Sequence, residues 1–148
     1  MIVKWKKLTE NAIIPKYAHK GDSGFDLCSI EDVELLSGDQ AIIKTGLAVE
    51  IPKGYEMQIR PRSGLAAKQN ITIANSPGTI DSGYRGEIRI ILYKHRDTIS
   101  EILTKFIIKK GDRIAQGIIA KVYHPEFVVV EELDDSERGT NGLGSTGQ

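Results

Sequence analysis

The chain has 148 residues, with 20 Lys plus Arg balanced by 20 Asp plus Glu, one Cys and three His. That length suits a single domain. The lone thiol excludes an intrachain disulfide and a multi-thiolate zinc site, and the charge balance argues against a nonspecific nucleic-acid binder, which would be basic.

Met1-Ile2-Val3-Lys4-Trp5-Lys6-Lys7 lacks the apolar stretch of a signal peptide. No apolar run approaches the roughly 20 residues that cross a bilayer, so a soluble, cytoplasmic protein is expected. Cys28 reads as a small buried hydrophobe. His19, His95 and His124 are scattered and read as surface or loop residues.

Along the chain, Gly21-Asp22-Ser23-Gly24-Phe25-Asp26-Leu27-Cys28-Ser29 reads as a loop entering a strand. Asp26 there either caps a turn or helps hold a hydrated Mg²⁺, an ion that keeps several waters and binds alongside phosphates. Gln40–Lys44, Leu47–Ile51 and Tyr55–Arg60 read as strands, separated by Gly and Pro turn signals. Pro61-Arg62-Ser63-Gly64-Leu65-Ala66 follows the last of these. Ser63–Asn70 reads as a short helix, with Ser63 as N-cap and Asn70 as a left-handed stop. Its first N–H groups and Arg62 suit an anion, unless this is an ordinary cap beside a surface Arg.

Asn75-Ser76-Pro77-Gly78-Thr79-Ile80-Asp81-Ser82-Gly83-Tyr84-Arg85-Gly86-Glu87 reads as a tight hairpin, with a carboxylate on one arm and a ring on the other. Glu87–Tyr93 follows as a strand. Arg96–Lys105 carries mixed signals and is left unassigned. Gly111-Asp112-Arg113-Ile114-Ala115-Gln116-Gly117 opens a further strand over Ile114–Tyr123, with Gln116 on a phosphate or simply in solvent. Phe127–Val130 reads as another strand. Glu131–Glu137 is acidic and reads as a solvated linker. Arg138–Gln148 holds four glycines. Its Gly, Ser, Thr and Arg can wrap a phosphate as a mobile lid, or form a disordered tail. The Gly142-x-Gly144-x-x-Gly147 spacing is not a dinucleotide fingerprint, because no strand precedes it and no helix follows. Many short strands divided by turns predict an all-β sandwich, barrel or jelly roll.

Five of these segments, in this order, resemble the trimeric dUTPases over most of the chain. They are Gly24-Phe25-Asp26-Leu27, Pro61–Ala66, Gly78–Gly86, Gly111–Gln116, and Arg138-Gly139 through Gly144-Ser145-Thr146-Gly147. The resemblance implies a distorted jelly-roll β-barrel over residues 1–131 and a flexible lid over 132–148. It implies a homotrimer with shared active sites, no membrane or nucleic-acid partner, and Mg²⁺-dependent hydrolysis of dUTP to dUMP and pyrophosphate. That reaction limits uracil incorporation into DNA and supplies dUMP for dTTP synthesis.

By the same resemblance, Asp81 is the general base. Asn75, Gly78, Thr79 and Ile80 read uracil, Tyr84 packs under deoxyribose, and Arg89 touches the base. Arg62, Ser63, Gly64 and Gln116 hold phosphates, and Asp26 meets the metal through water. Arg138, Gly144, Ser145 and Thr146 close over the terminal phosphate. Leu143 stands where the family usually has an aromatic residue, so it covers the base without stacking. Asn141 replaces a common Gly, and Arg96–Lys105 is longer than the usual connection. The competing implications are a dCTP deaminase of the same fold and a catalytically silent binding module.

Overall fold

The computed structural model describes residues 1–96 and 103–142, so the unassigned Arg96–Lys105 segment lies mostly outside the described residues. The strands are β1 (Lys4–Lys7), β2 (Phe25–Cys28), β3 (Val33–Leu36), β4 (Gln40–Lys44), β5 (Leu47–Glu50) and β6 (Tyr55–Arg60). Helix α1 (Ser63–Gln69) comes next. It is followed by β7 (Ile71–Ile73), β8 (Gly78–Ile80), β9 (Arg89–Lys94), β10 (Lys105–Ile108) and β11 (Arg113–Lys121).

All pairings are antiparallel and form sheets β2-β11-β6-β8, β4-β9-β7, β1-β5 and β10-β3. Alternation along the strands explains the packing. Met57 and Ile59 of β6 and Ile90 and Leu92 of β9 are buried, and they join Leu27, Leu35, Ile43, Leu47, Ile71, Ile108 and Ile114 in one core. The result is the expected all-β jelly roll. Among the described residues its ladders stay as separate sheets and do not close into one hydrogen-bonded barrel.

Helix α1 forms where the sequence predicts it, and Asn70 ends it at φ 57° in the left-handed region. The N-cap is Arg62, not Ser63. Arg62 is extended, and its carbonyl accepts the N–H groups of Leu65 and Ala66.

Two other expectations are corrected. β8 pairs with β6 while β9 pairs with β4 and β7, so residues 81–88 cross between two sheets and do not close a hairpin ladder. The turn chemistry survives, because the Tyr84 N–H donates to the Asp81 carbonyl at 3.0 Å. Phe127–Val130 forms no strand, and all four side chains are exposed. The run has β-forming composition, but nothing among the described residues pairs with it.

The crossover is pinned at its exit by Thr45, which is fully buried. Its hydroxyl donates to the Ile88 carbonyl at 2.7 Å and accepts from the Leu47 N–H at 3.3 Å. Thr45→Val keeps the shape and orphans both partners, so a loss of about 1–3 kcal/mol is expected in urea unfolding at matched protein concentration. Cys28 is buried as expected. Burial, and then the neighbouring Asp26 carboxylate, push its thiol above the usual range against the opposing Arg113 and Arg62. The native thiol should therefore resist DTNB at pH 8 and react once urea unfolds the chain. A raised folded value also means that its contribution to stability is present below the unfolded thiol pKa and is lost as pH climbs through the folded one.

Candidate active site

A cleft of about 360 Å³ lies where β2, β11 and the start of α1 meet. It is lined by Asp22, Gly24, Asp26, Arg62, Ser63, Gly64, Arg113 and Gln116, among others. Of the residues predicted for phosphate and metal, the structure brings together Asp26, Arg62, Ser63, Gly64 and Gln116, and Arg138 is not among the lining residues.

Asp26 is the junction. Its Oδ1 receives Arg62 Nε at 2.9 Å and its Oδ2 receives Arg113 Nη1 at 3.2 Å. Arg62 Nη1 also donates to the Arg113 carbonyl at 3.0 Å. Gln116 Nε2 donates to the Pro61 carbonyl at 2.9 Å, tying β11 to the residue before Arg62. Gly24 lets the Gln116 amide approach closely, since a Cβ there would sit 2.5 Å from Gln116 Oε1 and displace that side chain. Behind Asp26, the Phe25 ring packs over Gly117 and stands edge-on to Trp5 and Tyr17, which keeps the Asp26 side of β2 outward.

Arg113 is a cleft residue to which the sequence reading gave no role. Strand parity would place Arg113 and Gln116, three apart, on opposite faces. The β11 register instead shifts between Arg113 and Ala115, a β-bulge. Ile114 and Ala115 are consecutive and both buried, which an unbroken strand would not allow. The bulge turns Arg113 to the same side as Gln116. The run Ile114-Ala115 is the only sequence trace of it, and a buried pair is ambiguous without the partner strand.

The cleft carries two carboxylates (Asp22 and Asp26) against two guanidiniums (Arg62 and Arg113). Asp22 is occupied in its own loop, where its Oδ2 accepts the His19 N–H at 2.8 Å. Among the described residues, no group of three or more His, Cys, Asp or Glu is placed to enclose a metal. One carboxylate with free lone pairs still fits Mg²⁺, which is commonly held by one or two carboxylates, waters and substrate phosphates. Asp26 is that carboxylate.

The other predicted residues stand elsewhere. β8 is an edge strand paired only with β6, so one row of N–H and C=O groups over Gly78, Thr79 and Ile80 is free of ladder partners. The Asn75 side-chain amide lies against Gly78, whose missing Cβ would come within 3.1 Å of Asn75 Nδ2. Asp81 follows β8 directly and is exposed. The Tyr84 ring folds over Gly86, where no Cβ would fit, and its hydroxyl donates to the Glu87 carbonyl at 2.9 Å. Arg85 Nη1 braces the turn from below, on the carbonyls of Ser82 and Tyr84. Arg89 is exposed and bonded to Glu87 at 3.3 Å.

The sheet order β2-β11-β6-β8 sets Asp26 and the Gly78–Ile80 edge three strand spacings apart, about 14 Å. Arg62, Ser63 and Gly64 follow β6, the partner of β8, and there the separation runs along the strand: Ile80 stands opposite Met57, five residues before Arg62, so the Asp81 crossover lies about 16 Å from that end of the cleft. From Tyr123 to Gly142 every residue is exposed, and Arg138 Nε donates to the Asn141 carbonyl at 3.0 Å within that segment. Leu143, Gly144, Ser145 and Thr146 lie outside the described residues.

Comparison with known proteins fits this geometry. The dUTPase family model matches residues 10–147. A deoxyuridine 5'-triphosphate nucleotidohydrolase of Picosynechococcus is 55% identical over 147 residues, covering 99% of each chain. A dUTPase of Staphylococcus bacteriophage 80alpha, solved with dUPNHPP, superposes with a TM-score of 0.88 at 36% identity, covering 99% of both chains. A mutant dUTPase from phage phi11 of S. aureus matches with a TM-score of 0.80 at 32% identity, covering 89% of this chain and 98% of its own. That structure is described as revealing the coordination of a structural Mg(II) ion. The chain belongs to the dUTPase family.

Proposed function

We propose that the chain hydrolyses dUTP to dUMP and pyrophosphate as a homotrimer whose active sites are shared between subunits. The observation that supports this reading is the separation of the two parts within one subunit: Ile80 stands opposite Met57, five residues before Arg62, so the Asp81 crossover lies about 16 Å along the sheet from the Arg62 end of the cleft. A second copy that sets its β8 crossover over the cleft completes the site. The exposed Phe127–Val130 run supports association, because an apolar, β-forming stretch of this kind favours burial against a neighbour.

In that site Arg62, Ser63, Gly64 and Gln116 hold the phosphates. The free edge of β8 offers N–H and C=O groups over Gly78, Thr79 and Ile80 to the edge of uracil, and Asn75 adds an amide. Tyr84 presents a flat face to deoxyribose and leaves no room for a 2′-hydroxyl. Arg89 touches the base at the margin. Asp81 accepts a proton from the attacking water, which is aimed at the innermost phosphorus. Bound Mg²⁺ supplies charge neutralisation and orientation of the phosphate chain, with Asp26 reaching its waters. Two carboxylates already balance the two guanidiniums of the cleft, so a polyphosphate needs cations from outside it. Mg²⁺ and Arg138 are those cations. The segment 132–148 acts as the lid over the body formed by 1–131. Leu143 covers the base, and Gly144, Ser145 and Thr146 wrap the terminal phosphate. Among the described residues no helix is long and apolar enough to cross a membrane, and a cytoplasmic nucleotide pool is the natural source of substrate.

The reaction is tested with dUTP, UTP, dTTP and dCTP in Mg²⁺, reading pyrophosphate. Release from dUTP alone is expected, and equal release from all four would overturn the assignment. Asp81→Asn should retain fold and dUTP affinity while losing about 10²–10⁴ in kcat, and near-normal turnover removes Asp81 as the base. Truncation before Arg138 should leave a folded protein with severely reduced kcat/KM, whereas unchanged kcat/KM shows the tail to be a passenger.

A further inference from the structure

Lys94 is 6% exposed, an unusual position for the longest-stemmed cation. It points inward from β9 alongside Ile90 and Leu92, and its Nζ donates to the Gln69 carbonyl at 2.8 Å. Gln69 is the last residue of α1. The backbone of Lys94 is held from the other side, since its N–H donates to the Asp39 carbonyl at 3.1 Å and its carbonyl accepts the Gly38 N–H at 2.7 Å. The side chain is thus a strut from a fixed strand to the end of the helix. The next residue repeats the link, with the His95 N–H donating to the Asn70 carbonyl at 2.9 Å.

This strut matters because α1 has no other deep anchor. None of its seven residues is buried, and only Leu65 packs partly against the core. A helix without a buried face is not located by hydrophobic packing. It is located by what ties its two ends. At the leading end the tie is Arg62 on Asp26 and on the Arg113 carbonyl. At the trailing end it is Lys94, together with the adjacent backbone bond from His95. Ser63 and Gly64, which line the cleft, are the first two residues of that same helix.

We propose that Lys94 is a positioning residue for phosphate binding. From within the core it fixes α1 so that Ser63 and Gly64 stand at the cleft before the substrate arrives. This rests on the reading of the cleft as the phosphate site. Lys94 touches no substrate and acts only through the helix. Its removal leaves the Gln69 carbonyl without its partner and lets the helix shift by a fraction of a turn, enough to weaken contacts that must hold a phosphate oxygen.

The test compares Lys94→Met, Lys94→Arg and Arg62→Ala in the full chain, each assayed well below its melting temperature. Lys94→Met substitutes an apolar chain at a buried position, so folding is retained. If a melt shows it unfolded, Lys94→Gln, which keeps a donor on a shorter stem, takes its place in the same assays. Lys94→Met is expected to raise KM for dUTP about tenfold, with kcat within a factor of about three. The inhibition constant of inorganic pyrophosphate should weaken in parallel. Lys94→Arg, which keeps a donor of similar reach, should restore both. A lower melting temperature with KM and pyrophosphate inhibition unchanged would overturn the inference and leave Lys94 a core residue only. Arg62→Ala separates the two readings. If it raises KM while Lys94→Met does not, the inference fails and the phosphate cleft stands. If it leaves KM and pyrophosphate inhibition unchanged, the cleft itself has been misread.

Discussion

A carboxylate that accepts two guanidiniums at once joins three stretches of chain that are distant in sequence. Asp26 lies in β2, Arg62 at the cap of α1 and Arg113 at the start of β11, and the two ion pairs fix all three within hydrogen-bond reach. The side chains of Asp26 and Arg62 are 23% and 26% exposed, so the pair is neither buried in a dry core nor loose in solvent. In that range the net contribution of an ion pair to stability is small. Its value is geometric, since the guanidiniums are held in place before any phosphate arrives and need not be ordered during the reaction. The same bonds also cancel their charge. The cleft that results balances two carboxylates against two guanidiniums, and on the proposed reading a polyphosphate there draws its further cations from outside the cleft.

The width of the sheet imposes the second constraint. Strand spacing fixes how far apart the two edges of β2-β11-β6-β8 can be. On the nearer side the distance runs along β6, where Ile80 stands opposite Met57, five residues before Arg62. On the proposed reading one subunit carries the parts of the nucleotide site apart, and association is what brings them together. The exposed edge of β8 fits this picture. An open strand edge is a hazard in a solitary protein, and on the proposed reading a base occupies it.

Much of this was legible in the residues. The strands β4 and β6 and the helix α1 lie where alternation, Gly–Pro punctuation and the Asn70 stop signal place them. The five cleft residues stood out only through the family resemblance, since each segment by itself left a cap, a turn or a solvent-facing side chain open. What escaped was long-range. The Asp81 segment has the turn residues of a hairpin, yet its two flanking strands find better partners, β6 for one and β4 with β7 for the other. Turn propensity reports a bend and not the strand that follows it. The β11 bulge reverses the facing of Arg113, and only the ladder with β2 reveals it. Phe127–Val130 has strand composition without a strand, because pairing needs a partner strand and none of the described residues supplies one. The short strands β1, β3, β7, β8 and β10 have at most four residues each, too few for a period to declare itself.

The acidic segment Glu131–Glu137 bears on how a lid would close over a neutral cleft. It carries five carboxylates before the first guanidinium of the tail, Arg138. Like charges of that density are repelled by a polyphosphate and are best solvated in open water. The linker therefore resists being drawn into the cleft, and the boundary between repulsion and attraction falls at Arg138. On the proposed reading only the residues from Arg138 onward gain by approaching the phosphates, which makes that position the hinge. In the structure Arg138 spends its Nε on the Asn141 carbonyl, a neutral acceptor. A guanidinium on one neutral carbonyl is readily exchanged for phosphate, because an anionic acceptor adds charge–charge attraction and can take two parallel N–H bonds. The gain grows with the number of phosphate charges in the cleft. A triphosphate thus draws the tail more strongly than a mono- or diphosphate, and the same electrostatics that close the site also select the substrate by its charge.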